Sequence, residues 1–234
     1  MTNVEAFYES ADYQINNKDW HESDAPWKAS QIVKMLRRNH LQPRRIADIG
    51  CGVGRISHEL SRELEGFDAI DGFDIAAEAV RIANEKYAGN GIAFHCGNLL
   101  EAERHYDLTL CMDVFEHVED YMGFLRKLSA KSDYFIFHVP LEMNVSGILR
   151  ERYLHSRKQL GHLHYFSKSS ALATLRDTGY EIVDHFYTLG AMELESAHRG
   201  LVTSLTNALR RLMPDDLCSR TLGGMSLLVL CKAP

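Results

Sequence analysis

The chain has 234 residues, of which 45% are hydrophobic and 25% are charged, and its formal net charge is -6. This length suits a single domain with one core, and the composition is that of a globular protein rather than a disordered one. The negative charge offers no broad cationic surface to a phosphate backbone, which excludes nucleic acid as a general partner. We therefore expect a small-molecule partner.

The first 20 residues lack the basic start and apolar run of a signal peptide, and no stretch approaches the ~18 apolar residues of a membrane span. We therefore expect a cytoplasmic protein without integral membrane contact. The five cysteines are odd in number and form no Cys-x-x-Cys pair. This pattern disfavours a disulfide framework or a zinc site.

Helices and strands are predicted to alternate through the first 140 residues. Residues 1–43 form an N-terminal cap, whose helix carries Ile32, Met35 and Leu36 on one face and is stopped by Pro43. Strands are predicted at Arg45–Ile49, Ala69–Phe73, Ile92–His95, Leu108–Met112 and Tyr134–Val139. The helices between them carry Ile56, Leu60 and Leu64, or span Ala76–Tyr87 and Phe115–Leu128. Such alternation predicts a parallel sheet, with a cofactor-binding half over residues 44–140.

Two segments in the second half lack a clear strand pattern, and we interpret residues 141–166 and 190–221 as substrate-side insertions into one domain. Between them a helix begins at Ser167 and a strand covers Tyr180–Tyr187; the last strand covers Met225–Cys231. Residues 201–212 have leucines along one helical face, which suits a packed lid, a dimer contact or weak peripheral contact with a membrane. We expect a monomer or a homodimer.

A glycine-rich turn follows the first strand, in the order Asp48-Ile49-Gly50-Cys51-Gly52-Val53-Gly54. Glycines let the backbone approach a ligand closely, and the helix that follows presents unpaired N–H groups. A dinucleotide fingerprint would place glycine at position 55, which is Arg55. A nucleotide-dependent oxidoreductase is therefore the less favoured enzyme class.

Three further polar groups follow the next three strands. Asp74 lies 20 residues after Gly54, at the end of the second strand, where a carboxylate can accept both hydroxyls of a ribose. Asn98 follows the third strand, and the run from Met112 to His117 follows the fourth. The carboxyl ends of parallel strands share one edge of the sheet, so all four groups are predicted to meet there.

The runs IADIGCGVG, GFDIA and CMDVFEHVED, in this order and spacing, resemble class I S-adenosylmethionine-dependent methyltransferases of the ubiquinone-biosynthesis type over about residues 44–140. The resemblance implies a Rossmann-like α/β fold: a seven-stranded, mostly parallel sheet with helices on both faces and an antiparallel seventh strand. It implies S-adenosylmethionine as cofactor and methyl transfer to an O or N atom of a small-molecule acceptor. A non-catalytic module that binds the cofactor for regulation or assembly is the alternative.

The same resemblance assigns parts of the cofactor to residues. The loop from Gly50 to Gly54 would carry the methionine part, Asp74 the ribose hydroxyls, and Asn98 and Leu99 the adenine. Met112 would line the far side. The complete predicted cofactor set is Asp48, Gly50, Cys51, Gly52, Gly54, Asp74, Ile75, Asn98, Leu99 and Met112.

The sulfonium is already an activated methyl donor, so the protein has mainly to align the acceptor and exclude water, with a base helping where the acceptor is a hydroxyl. His117 is the first candidate base, because it follows the fourth strand and histidine titrates near neutrality. His162 and His164 are rivals from the substrate side. We predict no metal ligands, although some quinone-pathway members hold a divalent metal at positions matching Asp113, Glu116 and His117.

Overall fold

The computed structural model describes residues 22–188 and 212–234. The predicted helix over 201–212, apart from Leu212, lies outside these ranges, as do residues 1–21 of the predicted cap. The strands are β1 (Arg45–Ile49), β2 (Ala69–Asp74), β3 (Ile92–Cys96), β4 (Tyr106–Met112), β5 (Ser132–Pro140), β6 (Glu181–Thr188) and β7 (Ser226–Lys232). The α-helices are α1 (Ala25–Arg38), α2 (Arg55–Glu63), α3 (Ala77–Tyr87), α4 (Tyr121–Leu128), α5 (Val145–Leu149), α6 (Arg152–Gln159), α7 (Lys168–Asp177) and α8 (Asp215–Thr221).

All seven strands form one sheet in the order β3-β2-β1-β4-β5-β7-β6. Neighbouring strands are parallel except at β7, which is antiparallel to both β5 and β6. The strand order reverses between β1 and β4, and ligands bind at the carboxyl edge beside such a reversal. The predicted fold and its antiparallel seventh strand are confirmed.

Helices pack against both faces of this sheet. On one face Ile32 and Met35 of α1 and Leu60 of α2 belong to the same buried cluster as the β-strand residues beneath them. On the other face Leu125 of α4 and Leu175 of α7 do the same. The strands are covered on both sides, which explains their nearly continuous apolar sequences. No helix in the described ranges has the length and apolar character needed to cross a bilayer.

The predicted single helix Phe115–Leu128 is wrong. A 3₁₀ turn covers Phe115–His117, and α4 begins only at Tyr121. Asp120 starts the helix, because its side chain accepts a hydrogen bond from the Gly123 N–H at 2.9 Å. The turn before it faces the cavity described below.

The insertion over residues 141–166 contains two short helices, α5 and α6, where periodicity predicted none. The side chain of Asn144 caps α5 by accepting from the Gly147 N–H at 2.7 Å. The apolar residues of α5 are partly exposed to solvent, and Leu149 is 79% exposed. The apolar residues therefore do not mark one buried face, which is the pattern that periodicity detects.

Replacing Gly54 with alanine is expected to destabilise the fold by more than the backbone conformation alone explains. Gly54 immediately precedes α2 and has φ +80°, and an added Cβ would lie 2.4 Å from Cζ of Phe94 on β3. The left-handed backbone costs an alanine ~1–2 kcal/mol, and overpacking adds about 1–3 kcal/mol. Urea unfolding measures the sum.

Gly66→Ala is the matched control, because Gly66 has φ +75° and its Cβ would meet nothing within 4 Å. It should show the backbone cost alone. Equal losses of unfolding free energy in the two variants would contradict a steric role for Gly54.

Candidate active site

A cavity of about 430 Å³ opens at the carboxyl edge of the sheet, a volume typical of small-ligand sites. It is lined by Ile49, Gly50, Gly52, Phe73, Asp74, Ile75, Ala76, Gly97, Asn98, Asp113, Val114, His117, Val118, Glu119, Asp120 and Phe124. Five predicted cofactor residues and the first candidate base therefore share one cavity: Gly50, Gly52, Asp74, Ile75, Asn98 and His117.

Asp74 joins the glycine loop to the end of β2. Its Oδ2 accepts a hydrogen bond from the Gly52 N–H at 2.8 Å, and its Oδ1 accepts from the Ala76 N–H at 2.8 Å. Burial raises the pKa of this carboxyl, and the backbone N–H groups of Ala76 and Gly52 oppose the shift. Each carboxylate oxygen has two acceptor positions, so each keeps one for a ligand hydroxyl.

Asp48 lies beneath the loop and does not line the cavity. Its side chain is buried, and its Oδ2 accepts a hydrogen bond from the Ser57 hydroxyl of α2 at 2.8 Å. Burial raises its pKa to about 7, against the lowering effect of the Ser57 hydrogen bond. Asp48 thus connects β1 to α2 from below the loop.

A smaller cavity of about 160 Å³ lies on the other side of Gly50 and Gly52, and its lining includes Cys51, Met112 and Lys28. Lys28 of α1 places its Nζ 2.9 Å from Asp24 and 3.0 Å from Asp113. Burial lowers the pKa of Lys28, but the two carboxylates outweigh it and raise the pKa above its ordinary value. Lys28 therefore stays charged beside the loop.

Asp113 carries two ionic contacts in a left-handed backbone conformation, φ +56°. Its Oδ2 contacts Lys28, and its Oδ1 lies 2.6 Å from Nδ1 of His138. Nε2 of His138 lies 2.9 Å from Oγ1 of Thr188. Burial raises the pKa of Asp113, but the charges of His138 and Lys28 bring it well below the ordinary value. Both oxygens are engaged, so Asp113 does not fit the metal set that the resemblance implied.

His117 lines the cavity, whereas His162 is buried, does not line it, and packs edge-on against His117 with ring centroids 4.7 Å apart. Burial lowers the pKa of His117 to about 4, helped by His162 and opposed by a backbone hydrogen bond at Gly161. The His117 ring is therefore uncharged at neutral pH. Glu116 is also buried beside them, so Glu116 and His117 do fit a metal site.

His164 does not line the cavity. Its Nε2 lies 3.0 Å from the carbonyl oxygen of Val118 and 3.2 Å from that of Glu119, so the ring N–H donates to the turn before α4. Its side chain also packs against Tyr121, with ring centroids 4.5 Å apart. His164 therefore positions the turn before α4.

The other predicted cofactor residues lie outside the main cavity. The Leu99 side chain is 0% exposed within the core, and Gly54 packs against Phe94 where α2 meets β3. Cys51 and Met112 line the smaller cavity. Their cofactor contacts stay predictions.

Two residues of the site were not predicted from the sequence. Lys28 lies in α1, where no motif distinguishes it from other helix-surface lysines. Glu142 follows the end of β5, and its Oε2 lies 2.7 Å from Nδ1 of His162. Its position in the sequence could have identified Glu142 as a site residue, because a carboxylate directly after a parallel strand lies at the carboxyl edge of the sheet, where the strand ends converge.

Comparison with known proteins agrees with this geometry. The sequence profile of the family described as "Methyltransferase domain" matches residues 21–185. The fold and the cavity define the class I S-adenosylmethionine-dependent methyltransferases, and the chain belongs to this methyltransferase-domain family. The predicted class and the predicted cofactor are confirmed.

Among curated relatives, the ubiquinone biosynthesis O-methyltransferase of Neisseria meningitidis serogroup C (strain 053442) is 27% identical over 145 residues, which are 56% of this chain and 60% of that protein. The enzyme of the same name from Shewanella sp. (strain ANA-3) is 26% identical over 198 residues, 75% of this chain and 82% of the relative. The match to the first relative thus spans less than two thirds of its length.

Solved structures share the fold at low identity. Magnesium protoporphyrin IX methyltransferase from Synechocystis PCC 6803, solved with bound S-adenosylmethionine, has a TM-score of 0.63 and 16% identity, covering 100% of this chain and 96% of that one. A methyltransferase in complex with the Haloferax volcanii Trm112 activator has a TM-score of 0.67 and 16% identity, covering 99% and 98%. Identity at this level shows a common fold.

Asp48→Asn is expected to change how stability depends on pH. The carboxyl has a pKa of about 7 in the folded state and an ordinary value of 3.8. Between these values the folded state binds a proton that the unfolded state does not. The stabilising contribution of the protonated Asp48 carboxyl is therefore complete below pH ~4 and is lost as the pH rises to ~7. Three pKa units correspond to roughly 4 kcal/mol. The amide does not titrate and loses no such contribution. The free energy of unfolding of the variant, measured in urea, should therefore rise relative to that of the wild type from pH 5 to pH 8.

Asp68→Asn is the control for this measurement. The Asp68 carboxyl is exposed, and its hydrogen bond with Arg44 lowers its pKa. Its stabilising contribution is complete above pH ~4 and is lost only below that pH, so Asp68→Asn should differ from the wild type by a constant amount between pH 5 and pH 8. A pH-independent difference between Asp48→Asn and the wild type would show that Asp48 is not protonated in the folded state.

Proposed function

We propose that this chain transfers the methyl group of S-adenosylmethionine to a hydroxyl oxygen of a small-molecule acceptor bound beside His117. The observation that carries the proposal is that Asp74, at the cofactor end, and His117, at the acceptor end, line one cavity. The choice of oxygen is supported by the relatives, which are named O-methyltransferases.

The cofactor end of the cavity suits an adenosyl group. The remaining acceptor positions of Asp74 would take the two ribose hydroxyls, and Asn98 is placed to reach the base. Phe73, Ile75 and Phe124 supply apolar walls for the adenine ring. These contacts favour a nucleoside ligand with a free ribose.

The charge of the cavity lining suits the sulfonium. Four carboxylate residues contribute to the lining: Asp74, Asp113, Glu119 and Asp120. Lys28 and His138 compensate the charge of Asp113, so the other three attract the donor. A positively charged donor is attracted by such a lining, whereas S-adenosylhomocysteine, which has lost the sulfonium charge, is held less strongly. The electrostatics therefore favour binding of the donor and release of the product.

His117 would orient the acceptor. Its ring is uncharged at neutral pH and lies at the cavity wall, so a ring nitrogen can accept a hydrogen bond from the acceptor hydroxyl and help remove its proton. His162 packs edge-on against it and keeps the ring in place. The main contribution of the protein is then alignment of the oxygen with the methyl group.

Asp74→Ala is expected to weaken S-adenosylmethionine binding at least tenfold. The change removes two ribose contacts and also releases the Gly52 N–H, and each charge-assisted hydrogen bond contributes about 1.5–3 kcal/mol. Calorimetric titration measures the affinity. Asp68→Ala changes an exposed aspartate next to the opposite end of β2 and should leave it unchanged. Equal affinities in the two variants would reject the assigned cofactor site.

His117→Ala is expected to lower kcat by about 100-fold while the affinity for S-adenosylmethionine changes little, because general-base and positioning effects act on the transfer step. The measurement is S-adenosylhomocysteine formation across a panel of hydroxyl and amine acceptors. His155→Ala changes an exposed histidine of α6 and is the control. Methylation of amines only would contradict the choice of oxygen, and no turnover of any acceptor would favour a non-catalytic cofactor-binding module.

A further inference from the structure

Glu116 is a buried acid that nothing in the described part of the chain satisfies. It lies in the turn after β4 and is 1% exposed. Neither of its carboxylate oxygens has a hydrogen-bond partner among the described residues. A buried carboxyl group without partners is costly, and native proteins seldom leave one uncompensated. We therefore infer that a bound ligand satisfies the Glu116 carboxyl group.

Two histidines converge on this carboxylate. One donor atom from each of Glu116, His117 and His162 lies within 4.8 Å of the others. His117 comes from the same turn as Glu116, whereas His162 comes from the substrate-side insertion. The two residues after His162, Leu163 and His164, donate backbone hydrogen bonds to the Glu116 carbonyl at 2.9 and 3.0 Å. The three donors are thus held on a fixed backbone.

Glu142 sets the direction of the His162 ring. Its Oε2 lies 2.7 Å from Nδ1 of His162, which leaves Nε2 for a ligand. The other Glu142 oxygen accepts a hydrogen bond from the Ser156 hydroxyl. A histidine that binds a metal through one nitrogen commonly donates its other N–H to a carboxylate, which fixes the tautomer. Glu142 has this orienting position.

We propose that Glu116, His117 and His162 form a binding site for a divalent transition-metal ion, with Glu142 as the orienting partner of His162. This set replaces Asp113, whose oxygens are held by Lys28 and His138, with a histidine from the insertion. Two imidazoles and one carboxylate favour ions such as Zn²⁺ or Co²⁺ over Mg²⁺, which prefers oxygen ligands. Donors about 2.1 Å from one ion lie at most ~4 Å apart, so the cluster contracts by up to about 1 Å on binding.

The role of this site rests on the proposed function, whereas its existence is measured without the methyl donor or the acceptor. With the ion bound, His117 is a ligand and not a free base, and the cation itself lowers the pKa of an acceptor hydroxyl that it contacts, so the ion takes over the proton-removing role proposed for the His117 ring. It also joins the turn after β4 to the insertion, so the acceptor end is completed by metal binding.

The test is titration of metal-free protein with Co²⁺, followed by visible absorption and then displacement by Zn²⁺. The wild type is expected to bind one ion per chain with a ligand-field band, and Mg²⁺ is expected not to displace it. Glu116→Gln and His162→Gln should each weaken binding at least tenfold, and Glu142→Gln by about 10–100-fold. Asp113→Asn and His155→Gln should leave the affinity unchanged, His155 being an exposed histidine of α6 outside the cluster.

Thermal unfolding gives a second readout that does not depend on activity. Zn²⁺ should raise the Tm of the wild type and not that of Glu116→Gln, since a ligand that binds only the folded state stabilises it. Without metal, Glu116→Gln should be at least as stable as the wild type, because it removes an unpaired buried carboxyl. Absence of Co²⁺ and Zn²⁺ binding by folded wild type overturns the proposal, as does binding that depends on Asp113 and not on His162.

Discussion

The carboxyl end of β2 holds the loops on both sides of it, and the site depends on this constraint. The Phe73 carbonyl accepts the Gly50 N–H at 2.8 Å, the Asp74 carbonyl accepts the Gly97 N–H at 2.9 Å, and the Asp74 side chain accepts the Gly52 N–H. Two loops that line the cavity, one after β1 and one after β3, are thus anchored to the end of β2. The position of this strand end is fixed because β2 is hydrogen-bonded in register to the strands on both sides of it.

The end of β4 depends instead on balanced buried charges. Asp113 adopts a left-handed backbone, which costs a residue with a side chain about 1–2 kcal/mol. Contacts with Lys28 and His138 compensate for that strain and attach α1 and β6 to the end of β4, the latter through Thr188. Backbone strain of this kind is concentrated where geometry serves ligand binding. The two halves of the cavity are therefore stabilised by different means.

The sequence predicted the fold to within one or two residues at most strand ends, because strands buried on both faces and glycine turns leave short, regular signals. It also predicted that Asp74, Asn98 and His117 meet, because strand ends share an edge. It did not predict the break before α4, which depends on a cap at Asp120 inside an otherwise helical pattern. Nor did it predict the pairing of Glu142 with His162, because both belong to an insertion whose path no local pattern determines.

The insertion is fastened to the turn after β4 by four hydrogen bonds: two backbone N–H groups donate to the Glu116 carbonyl, and the His164 ring N–H donates to the carbonyls of Val118 and Glu119. The insertion, to which we assign acceptor selection, and the turn that presents His117 are thus held together by the same contacts. A chimaera that exchanges only residues 141–166 with a relative would displace His117 as well. If the insertion selects the acceptor, as we propose, a change of acceptor range requires exchange of the turn together with the insertion, because the insertion and the position of His117 depend on the same hydrogen bonds.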